Sequence, residues 1–147
     1  MIKEYLTKEH ILTKQVATNL EETIQITTKP LLEKNIITTD YLDSIRETIE
    51  KFGLYMIIIP GVAFFHGSHE RGVHEVGISL ATFENKIVLS EEDPDKYISA
   101  AFCFSAVDSE SHLSILQGLV ELLSDEAFLE LIRSNPNEKE ILERINR

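Results

Sequence analysis

Apolar residues recur along this chain with two different periods. Tyr41, Leu42, Ile45, Ile49 and Phe52 fall at helical spacing behind the capping residues Thr38-Thr39-Asp40, and Gly53 follows as a stop. Leu113, Leu116, Leu119, Val120 and Leu123 recur at steps of three and four, with Asp108-Ser109 ahead of them as a cap. That spacing predicts an amphipathic helix ending near Ser124. Asp125 to Ser134 predicts another helix, and Pro136, after Asn135, opens a last one ending near Arg147. Asn19 to Asn35 has scattered apolar residues and Pro30, which predicts a helix broken near the proline.

Shorter runs have the texture of strands. Ile11 to Val16 predicts a first strand. Met56-Ile57-Ile58-Ile59 and Val62-Ala63-Phe64-Phe65 are β-prone runs on either side of Pro60-Gly61. Val76 to Phe83, the short Ile87-Val88-Leu89 and Ser99 to Val107 predict more strands. The last is small and apolar, which suits a buried position. Helices at both ends and strands between them predict an α/β fold, one mixed sheet flanked by helices on both faces in three layers. No linker, repeat or low-complexity stretch interrupts residues 1–147, so a single domain is expected.

Composition narrows the function. The chain has 147 residues, 43% hydrophobic and 27% charged, which are globular proportions. Fourteen Lys and Arg against 25 Asp and Glu give a net charge of −11. That acidity argues against electrostatic binding to nucleic acid or to an anionic membrane. The one cysteine, Cys103, excludes an internal disulfide framework and points to a reducing cytoplasm. The start, Met1 to His10, has no apolar core of a signal peptide, and the run from Tyr55 to Phe65 is too short to span a bilayer.

Candidate chemistry centres on two of five histidines. His66 follows an apolar strand and precedes Gly67-Ser68, so it stands at a strand-to-loop exit where glycine permits close approach. His112 falls in the first turn of the helix that follows Asp108. Free N–H groups there favour an anion, and the helix dipole disfavours an imidazolium. A neutral imidazole in either place can act as a nucleophile or a hydrogen-bond donor. The plain alternatives are a solvated loop residue for His66 and a capping residue for His112.

Other constellations point elsewhere. His66, His69 and His74 with Cys103 loosely resemble zinc ligands, but Gly67 and Gly72 interrupt them and no paired cysteines support a site. Cys103 lies among Ala100, Ala101, Phe102 and Phe104, the company of a small core residue. There is no phosphate-cradling glycine loop and no Gly-x-Ser-x-Gly elbow. The acidic stretch Glu91-Glu92-Asp93-Pro94-Asp95 is most simply a solvated loop.

Three stretches carry a resemblance. Gly53-Leu54-Tyr55-Met56-Ile57-Ile58-Ile59-Pro60-Gly61-Val62-Ala63-Phe64-Phe65-His66 is similar to a "GPYIVIAPGIALPH" motif. Gly72-Val73 followed by Val76-Gly77-Ile78-Ser79-Leu80 is similar to "DGV…VGMSL". Asp108-Ser109-Glu110-Ser111-His112-Leu113, continuing to Asp125, is similar to a second histidine motif and its helix. Together they resemble enzyme IIA components of the sugar phosphotransferase system, mannitol/fructose type, with the ascorbate-type branch the nearest likeness.

The resemblance implies a sheet covered by helices on both sides. It implies that His66 is phosphorylated by the phosphocarrier protein HPr and that His112 is its active-site neighbour. Phosphate would then pass to a cysteine on enzyme IIB, which serves the membrane permease IIC. Neither a metal nor an organic cofactor is implied. Departures from the pattern stand beside these implications. Phe65 precedes the histidine where the family has proline, and Gly67 follows it as in mannitol-type members. Glu50 falls near the place of the mannitol-type arginine. Arg71 and Ser111 are the candidates for phosphate-binding groups. A regulatory phospho-receiver, controlling a partner without passing phosphate on, is the other function compatible with this pattern.

Overall fold

The computed structural model describes residues 2–146. Four strands form one mixed sheet: β1 (Ile11–Gln15), β2 (Gly61–Phe65), β3 (Gly77–Val88) and β4 (Tyr97–Ser105), in the order β1-β3-β4-β2. The outer strands run parallel to their neighbours, and the central pair β3 and β4 is antiparallel. Side chains alternate across the pleat, so each strand feeds two cores. Phe64, Ile78, Leu80, Phe102 and Phe104 face one side, and Phe65, Ala63, Ala81, Ala101 and Cys103 face the other.

Helices cover both faces. The first core is closed by α1 (Ile2–Tyr5), α4 (Ser109–Leu123), α5 (Glu126–Arg133) and α6 (Glu138–Ile145), through Ile2, Ile115, Leu119, Phe128, Ile132 and Ile141. The second is closed by α2 (Leu20–Glu33) and α3 (Thr39–Phe52), through Ile24, Leu31, Tyr41, Leu42 and Ile45. This is the three-layer α/β/α arrangement that the pattern of elements predicts.

Local differences have physical causes. The helix expected to break at Pro30 is continuous from Leu20 to Glu33. Pro30 sits in its last turn, with both Pro30 and Leu31 buried, so packing holds the chain helical past the missing N–H. Met56-Ile57-Ile58-Ile59 is not a strand. Gly53, at φ 69°, ends α3, and a 3-10 turn over Gly53–Met56 follows, leaving Tyr55 and Ile58 exposed. The two short runs after Val76 are one long strand, β3, whose register shifts between Thr82 and Ile87. Pro136 lies outside the final helix, which Asn137 caps through a reciprocal box with Glu140. The expected end of that helix at Arg147 lies outside the described residues.

Candidate active site

His66 directly follows β2, and strand alternation carries its ring to the side of Phe64 and Phe104. The imidazole stacks on the Phe104 ring at 4.9 Å between centroids and 15° between planes. Its Nδ1 lies 3.2 Å from the Phe64 carbonyl oxygen. A carbonyl accepts, so this contact places the proton on Nδ1 and leaves the Nε2 lone pair available. Burial pushes the His66 pKa below its ordinary value; the Phe64 carbonyl opposes that push and His112 adds to it. The ring is therefore neutral near pH 7.

His112 comes to the same place from a distant part of the chain. Its N–H closes the first intrahelical bond of α4, to the Asp108 carbonyl at 3.1 Å. Its ring meets His66 edge-on, 5.6 Å between centroids at 61°, and lies 5.6 Å from Phe104. Burial, and secondarily the charge of His69, lowers its pKa as well. Two neutral imidazoles thus share one aromatic platform.

The start of α4 is capped from within. Asp108 accepts the Ser111 N–H at 2.7 Å, while the Ser111 hydroxyl receives the N–H groups of Val107 and Asp108 at 3.1 and 3.2 Å. The bonds from Ser111 hold the Asp108 carboxyl below its usual range, with a smaller effect from His69. Ser111 is thereby committed to the capping box that sets where His112 stands. The anion site expected of a bare helix start is partly filled by the Asp108 carboxylate.

The loop after His66 is tied to α3 by residues that the sequence did not single out. Gly67 N–H donates to the Tyr41 hydroxyl at 2.9 Å, and Tyr41 donates to the Phe104 carbonyl at 2.6 Å. Ser68 N–H donates to Ser44 Oγ at 2.7 Å. Gly67 is required by the closeness of this contact: a Cβ there would lie 1.9 Å from Ser44 Oγ and 3.0 Å from the Ile45 nitrogen. Farther along, Arg71 is engaged by Asp40 at 2.9 Å and by Glu47, both on α3. His69 sits in the turn closed by Arg71 N–H on the Ser68 carbonyl, where its charge reaches Asp108 and His112. The one available signal for Tyr41 and Ser44 was their spacing of three on the buried face of α3.

Residues 4–147 match the family described as phosphoenolpyruvate-dependent sugar phosphotransferase system, EIIA 2. The chain belongs to this family. The mannitol-specific cryptic phosphotransferase enzyme IIA component of Escherichia coli (strain K12) is 31% identical over 146 residues, 99% of this chain and 98% of the relative. The solution structure of the Escherichia coli protein of that name superposes with a TM-score of 0.87. An ascorbate-specific EIIA component from Salmonella choleraesuis is 30% identical over 132 residues, 89% of this chain and 85% of the relative. The fold also matches mannitol enzyme IIA in its complex with phosphorylated enzyme IIB from Escherichia coli, at a TM-score of 0.80 and 18% identity over 94% of each chain. As a member of the EIIA 2 family, the chain is a phosphotransferase component.

Within this EIIA 2 fold the metal-like constellation is dispersed. Cys103 is fully buried on the face opposite Phe104, and burial raises its thiol pKa far above the ordinary value. His74 Nδ1 contacts the Asn35 carbonyl at 2.9 Å. Among the described residues no group of three or more His, Cys, Asp or Glu side chains is arranged to hold a metal. No helix of the described residues is long and apolar enough to cross a membrane.

Beside His66 opens a cleft of about 440 Å³, lined by Thr48, Ile49, Phe52, Met56, Ile58 and Phe64 among others. Phe52, Tyr55 and Ile58 are exposed at its rim, and Val107 and Leu113 are exposed near His112. An apolar surface around two histidines is suited to the approach of another protein. Of the Met56–Ile59 run, Ile58 is exposed on this surface, while Met56 and Ile57 are buried.

Proposed function

We propose that His66 is the phosphoacceptor, taking phosphate from phospho-HPr and passing it to a cysteine of an enzyme IIB that serves a membrane permease. The carrying observation is the His66 ring, held through Nδ1 by the Phe64 carbonyl and set edge-on to His112 at 5.6 Å between centroids. In the first step the Nε2 lone pair attacks phosphorus as the bond to the donor histidine breaks, and that imidazole leaves with the electron pair. The phosphorylated ring retains its Nδ1–H and gains positive charge, which the Phe64 carbonyl stabilises. In the second step a IIB thiolate attacks phosphorus, the Nε2–P bond breaks, and His66 returns neutral.

His112 donates to the phosphoryl oxygens as charge shifts between them. Ser111 and Arg71 serve this site by position, Ser111 at the cap of α4 and Arg71 on the carboxylates of α3. Neutral donors hold the phosphate without trapping it, which suits a group that must leave again. Residues 1–147 act as one domain in this scheme, in the cytoplasm where HPr and IIB meet it. The transported compound is a sugar or an ascorbate-like sugar acid, a reading supported by the match to ascorbate-specific relatives.

The test is incubation with phosphoenolpyruvate, HPr and its upstream kinase, followed by mass spectrometry. Acid-labile phosphate on His66, absent from His66→Ala, is the expected result. Phosphate on His69, His74 or His112 in the wild type would overturn the assignment. Subsequent addition of purified ascorbate-type or mannitol-type IIB resolves the substrate class, because transfer is fastest to the cognate cysteine. Labelling of His66 without transfer to any IIB would instead indicate a regulatory receiver.

A further inference from the structure

We propose that Tyr41, assisted by Ser44, is a positioning residue for the phosphoacceptor: hydroxyls of α3 fix both flanks of His66 so that Nε2 faces His112. This rests on the reading of His66 as the acceptor. Tyr41 is buried, and its single hydroxyl is used twice. It donates to the carbonyl of Phe104, the residue whose ring stacks on His66. It accepts from the N–H of Gly67, the residue that follows His66. One oxygen atom therefore joins the platform on which the imidazole rests to the backbone that leaves it.

Ser44 adds a second tie at Ser68, one residue farther along. Together the two hydroxyls consume the N–H groups of Gly67 and Ser68, so these donors are turned to α3 and are not offered to phosphoryl oxygens. The imidazole is then held by the Phe64 carbonyl, the Phe104 ring and a loop tied to α3 at Gly67 and Ser68. Burial raises the Tyr41 pKa, so the phenol stays protonated and its donation to Phe104 persists across working pH. A residue needed only to fill the core would not require an oxygen placed on these two backbone groups.

Tyr41→Phe keeps the ring and removes that oxygen. Single-turnover phosphorylation of His66 should fall by roughly 10- to 100-fold, the scale on which small misplacements act, with partner affinity unchanged. In the unphosphorylated protein, nitrogen NMR of His66 should change from one Nδ1–H tautomer to a mixture. Ser44→Ala should move both readouts in the same direction by less, and it carries the test if Tyr41→Phe does not fold. Ser79→Ala is the control. It removes a buried hydroxyl of the same layer that is bonded to the Thr27 carbonyl and not to Phe104, Gly67 or Ser68, and should lower the melting temperature while leaving rate and tautomer unchanged.

A folded Tyr41→Phe protein with the wild-type rate and a single tautomer would overturn the proposal. So would an equal loss of rate in Ser79→Ala. The tautomer measurement needs no phosphate, so it decides the positioning role even if wild-type labelling were to fall on another residue.

Discussion

Beneath α4, α5 and α6 the sheet meets aliphatic and aromatic side chains such as Ile115, Leu119, Phe128 and Ile141. Beneath α2 and α3 it meets hydroxyls as well: Thr27, Thr28, Tyr41, Ser44 and, from β3, Ser79, each bonded to a backbone group. The first layer is shaped mainly by volume. The second is directional, because a hydrogen bond fixes an angle that apolar packing leaves free. His112 rides on the apolar layer and is placed by the course of a helix. His66 and its loop are placed by the polar layer. The site is assembled where a rigid platform meets a directed loop.

The largest expected effect falls on the platform and should spare chemistry. Phe128 is fully buried, and Phe128→Ala should cost about 3–5 kcal/mol of stability. Transfer per folded molecule should stay near the wild-type rate, measured well below the lowered transition. A fall in rate beyond the fall in folded fraction would break the division between the two layers. Next in size, His112→Ala should reduce transfer to IIB by roughly 10²–10³-fold while leaving a melting curve close to wild type. Unchanged transfer would return His112 to a packing role.

In the directed layer, Gly67→Ala drives a methyl group into Ser44 Oγ and close to the Ile45 nitrogen. Relief requires the loop to move, at a cost of about 1–3 kcal/mol. Denaturant unfolding should show this loss, and the transfer rate should fall with it, unlike in Phe128→Ala. Adding Ser44→Ala removes the nearest clash and should recover part of the stability. If Gly67→Ala lost stability alone, the loop would not direct the acceptor.

The contrast between the layers also explains what the sequence could reveal. The helices α3 and α4 were legible because apolar burial repeats every three or four residues, and their caps and stops stand at the ends. The strands around the site were legible as runs, and both histidines by their place at a strand exit and a helix start. Tyr41 and Ser44 were not, because their hydrogen-bond partners lie far along the chain at Phe104, Gly67 and Ser68. Helical spacing marks them as buried but says nothing of what their oxygens touch. The Met56–Ile59 run misled for a related reason: Met56 and Ile57 are buried from a 3-10 turn and its exit while Ile58 faces outward, and an apolar run reads the same whether a strand or a turn buries it. Pro30 misled because propensity is local and the packing that overrides it is not.

A smaller effect concerns pH. His66 and His112 both have pKa values pushed down by burial. The unfolded chain takes up protons near the ordinary histidine value of about 6.5, where the folded rings still resist them. The unfolded state then binds more protons, so stability falls as pH falls. The contribution is complete above the unfolded value and is lost as pH drops from there through the folded values. Melting temperatures at pH 7.5 and 5.5 should differ by less in a His66→Gln, His112→Gln double variant than in wild type. This window lies above the range where Asp40, Asp108 and Asp125, all lowered, begin to contribute. An unaltered difference in the double variant would mean that the acid sensitivity arises elsewhere.

The smallest effect is expected at Arg71. It too links the loop to α3, but through ion pairs with Asp40 and Glu47 that are open to solvent. Exposed pairs are screened by water and salt and are costly in side-chain entropy, so they hold a loop far less firmly than buried hydroxyls. Arg71→Ala should therefore shift the melting temperature less than Ser44→Ala, and the shift should shrink further in high salt. The same variant addresses the charge that Arg71 was expected to bring to phosphate. With its guanidinium engaged by two carboxylates, transfer should change little. A fall in transfer as large as that of His112→Ala would show that Arg71 leaves those carboxylates for the phosphoryl group, and the loop would then have a second, mobile arrangement that the buried ties alone do not describe.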